Sequence, residues 1–93
     1  MTDAELLAMT KSNLQIAGSA WNEYLAQLII AAQEAIATQG ITLDLSRIDD
    51  CNLVVMYASY LYRKRADDDP SMPRMLRYEL NNRLFAQKTA EEG

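Results

Sequence analysis

Histidine is absent from this sequence, cysteine occurs once, and glycine and proline contribute only three and two residues. Each scarcity excludes something. Without histidine the commonest general base is missing, and so is the usual partner of a serine or cysteine nucleophile. A lone Cys51 forms no disulfide within the chain, and a Cys/His zinc site has no set of ligands to draw on. So little glycine and proline leaves too few turn signals for a many-stranded β fold. Long apolar runs are missing too: the longest, Leu53 to Tyr62, is about half of what spans a bilayer. The opening Met1-Thr2-Asp3-Ala4-Glu5 is acidic where a secretory signal is basic. The expectation is a protein that catalyses nothing, holds no cofactor or metal, has no membrane partner and works in the cytoplasm of the cell that makes it.

What is present is a chain of 93 residues, 49% of them hydrophobic, enough for one folded domain. A chain this short buries only about two-thirds of the surface its unfolded form exposes, so contact with neighbouring subunits adds stability that its own core supplies sparingly. The net charge of -4 argues against a polycation seeking DNA phosphates. Its distribution is blocky. Residues 1 to 60 carry a net -5, Arg63, Lys64 and Arg65 add three positives, and Asp67, Asp68 and Asp69 add three negatives. Residues 74 to 88 carry a net +3, and Glu91 and Glu92 close the chain. Blocks of this kind either sit as solvated helix ends or guide subunits onto one another.

Apolar periodicity predicts an all-α, compact bundle of about four helices. Thr2-Asp3-Ala4-Glu5 has the form of a capping box and opens a short first helix carrying Leu6, Leu7, Met9 and Leu14. Residues 16–19 interrupt it, and Ser19 or Asn13 is placed to cap the next helix. This second helix is expected over 20–39, with Trp21, Leu25, Leu28, Ala32 and Ala35 on one face and Gly40 at a left-handed C-terminal cap. Residues 41–45 form an extended link. A third helix is expected over 47–66, capped by Asp44 or Ser46. Its aspartates Asp49 and Asp50 meet the positive end of the helix dipole, and Arg63, Lys64 and Arg65 lie near the negative end. That helix is apolar around most of its circumference, as befits a central element. An acidic, flexible loop, 67–73, precedes a fourth helix that starts with Pro73 in its first turn, carries Leu76, Leu80 and Leu84 with Met75 and Phe85 alongside, and ends near Lys88. The domain is read as 1–88, with 89–93 a frayed tail.

Few residues invite a chemical role. Asp67, Asp68 and Asp69 lack the ligand spacing of an EF-hand and read as a polar loop. Cys51 lies on an apolar stripe and reads as a small buried hydrophobe. The five tyrosines, Tyr24, Tyr57, Tyr60, Tyr62 and Tyr78, read equally as core packing or as interface anchors. The candidate interface comprises Tyr57 and Tyr60, the basic cluster Arg63, Lys64 and Arg65, the arginines Arg74, Arg77 and Arg83, and the Leu76, Leu80 and Leu84 ridge. For the ridge, completing the chain's own core stands beside docking as a second reading.

Three stretches together carry a family resemblance: Tyr24 to Ala32; Ile41 to Leu45 leading into Leu53 to Arg65; and Met72 to Tyr78 followed by Leu80 to Phe85. The most specific parts are Leu-Tyr-Arg-Lys-Arg, the acidic loop after it, then Met-Pro-Arg-Met-Leu and Asn-Asn-Arg-Leu. With these, most of the chain resembles the small head-to-tail connector proteins of tailed bacteriophages and prophages. The resemblance implies a bundle of mainly four helices forming a homo-oligomeric ring between portal vertex and tail. The implied partners are further copies of the chain, the portal protein, and tail-completion or further connector proteins. Genome DNA passes through the lumen without sequence-specific binding. The implied location is the head–tail interface of the virion, with the host cytoplasm as the site of assembly. The family has no catalytic residues to carry over.

Two other readings use the same residues. A small helical mutase would need Arg47, Arg63, Arg77 and Arg83 to converge on one buried dicarboxylate pocket. A helical regulator, antitoxin-like or DNA-binding, would need a recognition helix, for which Arg77, Asn81, Asn82, Arg83 and Gln87 are the candidates.

Overall fold

The computed structural model describes residues 2–64 and 71–92. Among them the chain is all-helical: α1 (Asp3–Leu14), α2 (Asn22–Thr38), α3 (Ile48–Lys64) and α4 (Arg74–Glu92), with no strand. The acidic residues Asp67, Asp68 and Asp69 and the third cation of the basic cluster, Arg65, lie outside the described residues.

Local chemistry explains most helix ends. At α1 the capping box forms in full: the Glu5 amide donates to Thr2 Oγ1 at 3.2 Å, and the Thr2 amide donates to Glu5 Oε1 at 3.2 Å. These bonds favour the ionised Glu5 and hold its carboxyl below the ordinary range. The helix stops one residue before the predicted interruption, because Gln15 takes the left-handed conformation at φ 59°. Lys11 Nζ then donates to the Gly18 carbonyl and, at 2.8 Å, to Asn22 Oδ1, tying the turn to the start of α2.

The entry to α2 differs from expectation. The helix begins at Asn22, so Trp21 occupies the cap position and no side chain caps there. Neither Ser19 nor Asn13 caps it; the Ser19 backbone carbonyl accepts from the Asn22 amide at 3.2 Å. Aromatic packing holds this entry, with the Trp21 ring 6.0 Å from Tyr24 and 5.9 Å edge-on to Tyr62 of α3. At the other end Gly40 is left-handed at φ 98°, as its position after α2 predicts.

Asp44 organises the entry to α3. Its Oδ1 accepts from the Ser46 amide at 3.0 Å and the Ser46 hydroxyl at 2.6 Å, and its carbonyl accepts from the Arg47 amide at 3.0 Å. The Ser46 bonds hold the Asp44 carboxyl below its ordinary value. The helix itself starts at Ile48, one residue later than expected, so Arg47 rather than Asp44 or Ser46 stands at its cap position, and the Asp44–Ser46 bonds close a turn ahead of it. At the far end of the chain, α4 continues through Glu92, past the predicted end near Lys88. Thr89, Ala90, Glu91 and Glu92 contain no breaker, and Ala and Glu are good helix formers.

One apolar core draws on all four helices and the link, with Leu6, Ile29, Ile36, Ile41, Val54 and Leu76 among its buried members. α3 is the central element: it packs on each of the other three helices, and eight of its residues are buried. Cys51 is among them, its thiol donating to the Leu45 carbonyl at 3.1 Å. α1, α2 and α3 pack on one another, whereas α4 leans chiefly on α3. The molecule is therefore flat, with extents of 47 × 32 × 18 Å and a radius of gyration of 13.6 Å, against roughly 12 Å for a compact domain of this length.

α2 has two contrasting faces, and a matched pair of substitutions reads them out. Ile36 is fully buried and Ile30 is 58% exposed. Ile36→Ala is expected to lower unfolding free energy by about 2–5 kcal/mol. Ile30→Ala is expected to stay within about 0.5 kcal/mol. Urea titration followed by circular dichroism measures both.

Candidate functional site

A buried carboxylate marks the junction between α3 and α4. Asp50, in the first turn of α3, is fully buried. A lone carboxylate in that position carries a desolvation cost of several kcal/mol. Arg83 of α4 meets it with both terminal guanidinium nitrogens: Nη1 pairs with Oδ1, and Nη2 donates to Oδ2 at 3.0 Å. The same Nη2 donates to the Thr42 carbonyl at 2.8 Å, and the Asp44 amide donates to Asp50 Oδ2 at 2.6 Å. One turn further along α4, Gln87 closes the arrangement. Its Nε2 donates to the Gly40 carbonyl at 2.6 Å, and its Oε1 accepts from the Thr42 amide at 2.8 Å. Two side chains of α4 thus satisfy three backbone groups of the link between α2 and α3, the Gly40 and Thr42 carbonyls and the Thr42 amide.

The charges follow from this geometry. Burial alone pushes Asp50 up. The Arg83 hydrogen bond, the Asp44 amide and the positive charges of Arg83 and Arg47 outweigh it, and the carboxyl ends below its ordinary 3.8. Arg83 is raised in turn, first by its hydrogen bond to Asp50.

This arrangement sorts the residues singled out from the sequence. Arg83 is bound to its own chain's Asp50, so it acts inside the subunit. Leu76 and Leu80 are buried, and Leu84 packs against the core, its Cδ1 lying 3.6 Å from where a Cβ on Gly40 would stand. The leucine ridge therefore completes the chain's own core. Tyr57 is also buried, and burial, then Tyr60, raises its hydroxyl above 10.0. Tyr60 is half-buried, its ring 5.9 Å edge-on to Tyr57 and 5.9 Å from Lys64 Nζ. Arg63, Lys64, Arg74 and Arg77 are exposed. Of the proposed recognition helix, Arg83 and Gln87 face the link, while Arg77, Asn81 and Asn82 are exposed.

Beside the clamp lies an open groove between α3 and α4 of about 960 Å³. Leu53, Met56 and Ala86 supply apolar lining, and Arg47, Asp49 and Glu79 supply mixed charge. Arg47 and Arg83 reach this groove; Arg63 and Arg77 are not among its lining residues. Among the described residues no cluster of three His, Cys, Asp or Glu side chains is placed to hold a metal ion, and no helix is long and apolar enough to cross a membrane.

On its far side α4 exposes Met75 and Phe85, which were expected alongside the leucine ridge, and Tyr78, one of the five tyrosines read as core or anchor. Met75 is 63% exposed, Tyr78 61% and Phe85 74%. The leucine ridge drew attention as the stronger pattern, yet it is the ridge that is buried. The available signal was an aromatic pair, Tyr78 and Phe85, seven residues apart on the opposite face.

Two tests address the clamp. Arg83→Met strands a buried carboxylate and is expected to cost about 3–5 kcal/mol, whereas adding Asp50→Leu recovers much of the loss by removing the stranded charge. Unfolding titrations of the two variants check this. The second test is pH. Because the folded-state pKa of Asp50 is depressed, its stabilisation is fully present above the unfolded value and is lost as pH falls through the folded one. Stability is expected to decline below about pH 4, and Asp50→Asn is expected to flatten that decline in acid titrations followed by circular dichroism.

No family model, no curated protein and no solved structure matches the chain.

Proposed function

We propose that this chain is a structural subunit of a homo-oligomeric ring, joining the portal vertex of a tailed-phage capsid to the tail and extending the DNA channel. The carrying observation is the outer face of α4, where Met75, Tyr78 and Phe85 stand in solvent on a helix whose inner face is already committed to the core. Exposed apolar side chains grouped on one face suit contact with another protein. A flat subunit suits lateral packing, since it offers neighbours more surface per residue than a sphere does. The net charge of -4 suits a lumen that passes DNA without gripping its phosphates. The family likeness of Leu61 to Arg65, Met72 to Leu76 and Asn81 to Leu84 supplies the phage context.

The test is the assembly state, measured by sedimentation velocity and native mass spectrometry. The chain is examined alone and after co-expression with the portal protein encoded in the same structural gene cluster. The expected result is a cyclic oligomer of more than two copies, on the portal if not alone. Monomers and two-fold dimers only, under both conditions, overturn the reading.

A further inference from the structure

We infer that copies of this chain join head to tail, the exposed stripe of α4 on one copy docking against the exposed face of α2 on the next. The inference rests on the ring reading and names the surfaces that reading leaves open.

The two faces are complementary in charge. Along α4, Arg74, Arg77, Tyr78, Asn81, Phe85 and Lys88 recur at the spacing of one helical stripe, and all are exposed. From Arg74 to Lys88 every charge in that stripe is positive; Glu79, the acidic residue of that stretch, lines the groove on another side. Along α2 the exposed stripe is Glu23, Ala26, Ile30, Glu34 and Ala37, and the helix contains no cation. Among the described residues, Arg77, Lys88, Glu23 and Glu34 make no ion pair within the chain.

The faces also match in shape and span. α4 offers the bulky side chains Tyr78 and Phe85. α2 offers small ones, Ala26 and Ala37, on either side of Ile30, so a second helix approaches closely there. Arg77 and Lys88 are eleven positions apart, and so are Glu23 and Glu34. Eleven residues make about three turns and a rise of about 16 Å, so both pairs of opposite charges align at once.

Charge decides the polarity of the contact. Two α4 stripes facing each other bring cations together, and two α2 faces bring carboxylates together. Each face repels its own copy and attracts the other kind. Within one chain α2 and α4 each pack chiefly on α3. The contact is therefore heterologous and closes into a ring where the rotation allows.

Two kinds of variant test this on the full chain. Ile30→Cys and Phe85→Cys chains are mixed under mild oxidation, with the wild type as control for buried Cys51. Disulfide-linked pairs are expected in the mixture well above either chain alone. Separately, Arg77→Glu/Lys88→Glu and Glu23→Arg/Glu34→Arg are each expected to weaken self-association by about tenfold or more. Mixing the two charge variants restores it, since each then offers the face the other needs. Circular dichroism confirms that each variant stays folded, as all four positions are exposed. If the wild type assembles but the cysteine mixture links no better than its components, or the mixed charge variants do not recover, the interface lies elsewhere and the ring reading stands. If the wild type forms no oligomer beyond a two-fold dimer, alone or with the portal, both fall.

Discussion

A carboxylate leaves water only when something replaces the hydrogen bonds it gives up, and Asp50 has given up all of them. The replacement is a two-pronged guanidinium from Arg83, thirty-three residues away on another helix, together with the Asp44 amide. The position of α4 follows from this pair. Leucines at 76, 80 and 84 supply the apolar burial that draws the helix onto α3, but a greasy ridge tolerates sliding and rotation. The bidentate pair does not, because both its geometry and the loss on breaking it are specific.

Fixing α4 in this way also closes the link between α2 and α3. Residues 40–44 form neither helix nor strand, so their backbone groups need partners from elsewhere. Arg83 and Gln87 supply them at Thr42 and Gly40. A helix attached mainly to α3 is thereby bonded to the link as well. Its register is set, and so is the face it turns outward: with Leu76, Leu80, Arg83 and Gln87 directed inward, Tyr78 and Phe85 have no inner position to occupy.

A subunit that commits one side of its last helix to its own core and leaves aromatic and cationic side chains on the other has unequal surfaces. So has α2, where buried Ile29, Ala32 and Ile36 back an exposed face of small and acidic residues. Unequal, complementary surfaces favour head-to-tail growth over two-fold pairing, which is the geometry a ring around a channel requires.

Much of the fold was legible in local chemistry. The Thr2–Glu5 capping box, the left-handed Gly40 and the apolar stripe of α3 all depend on residues within a few positions of one another. Such interactions are written at short, fixed spacings. The start of α2 was not legible, because Trp21 is held by Tyr62, which only tertiary packing brings near. The role of Asp50 was hidden for the same reason: in sequence it is one of two acids at a helix N-terminus, and nothing local separates it from Asp49. Nor does any local feature distinguish Arg83, which turns inward, from Arg77, which stays in solvent. The number of helices and their apolar stripes were legible in the chain, since period and capping act locally. Tertiary structure decided which of two apolar patterns on α4 is buried and which charge is paired, because burial depends on the surface a neighbouring helix presents.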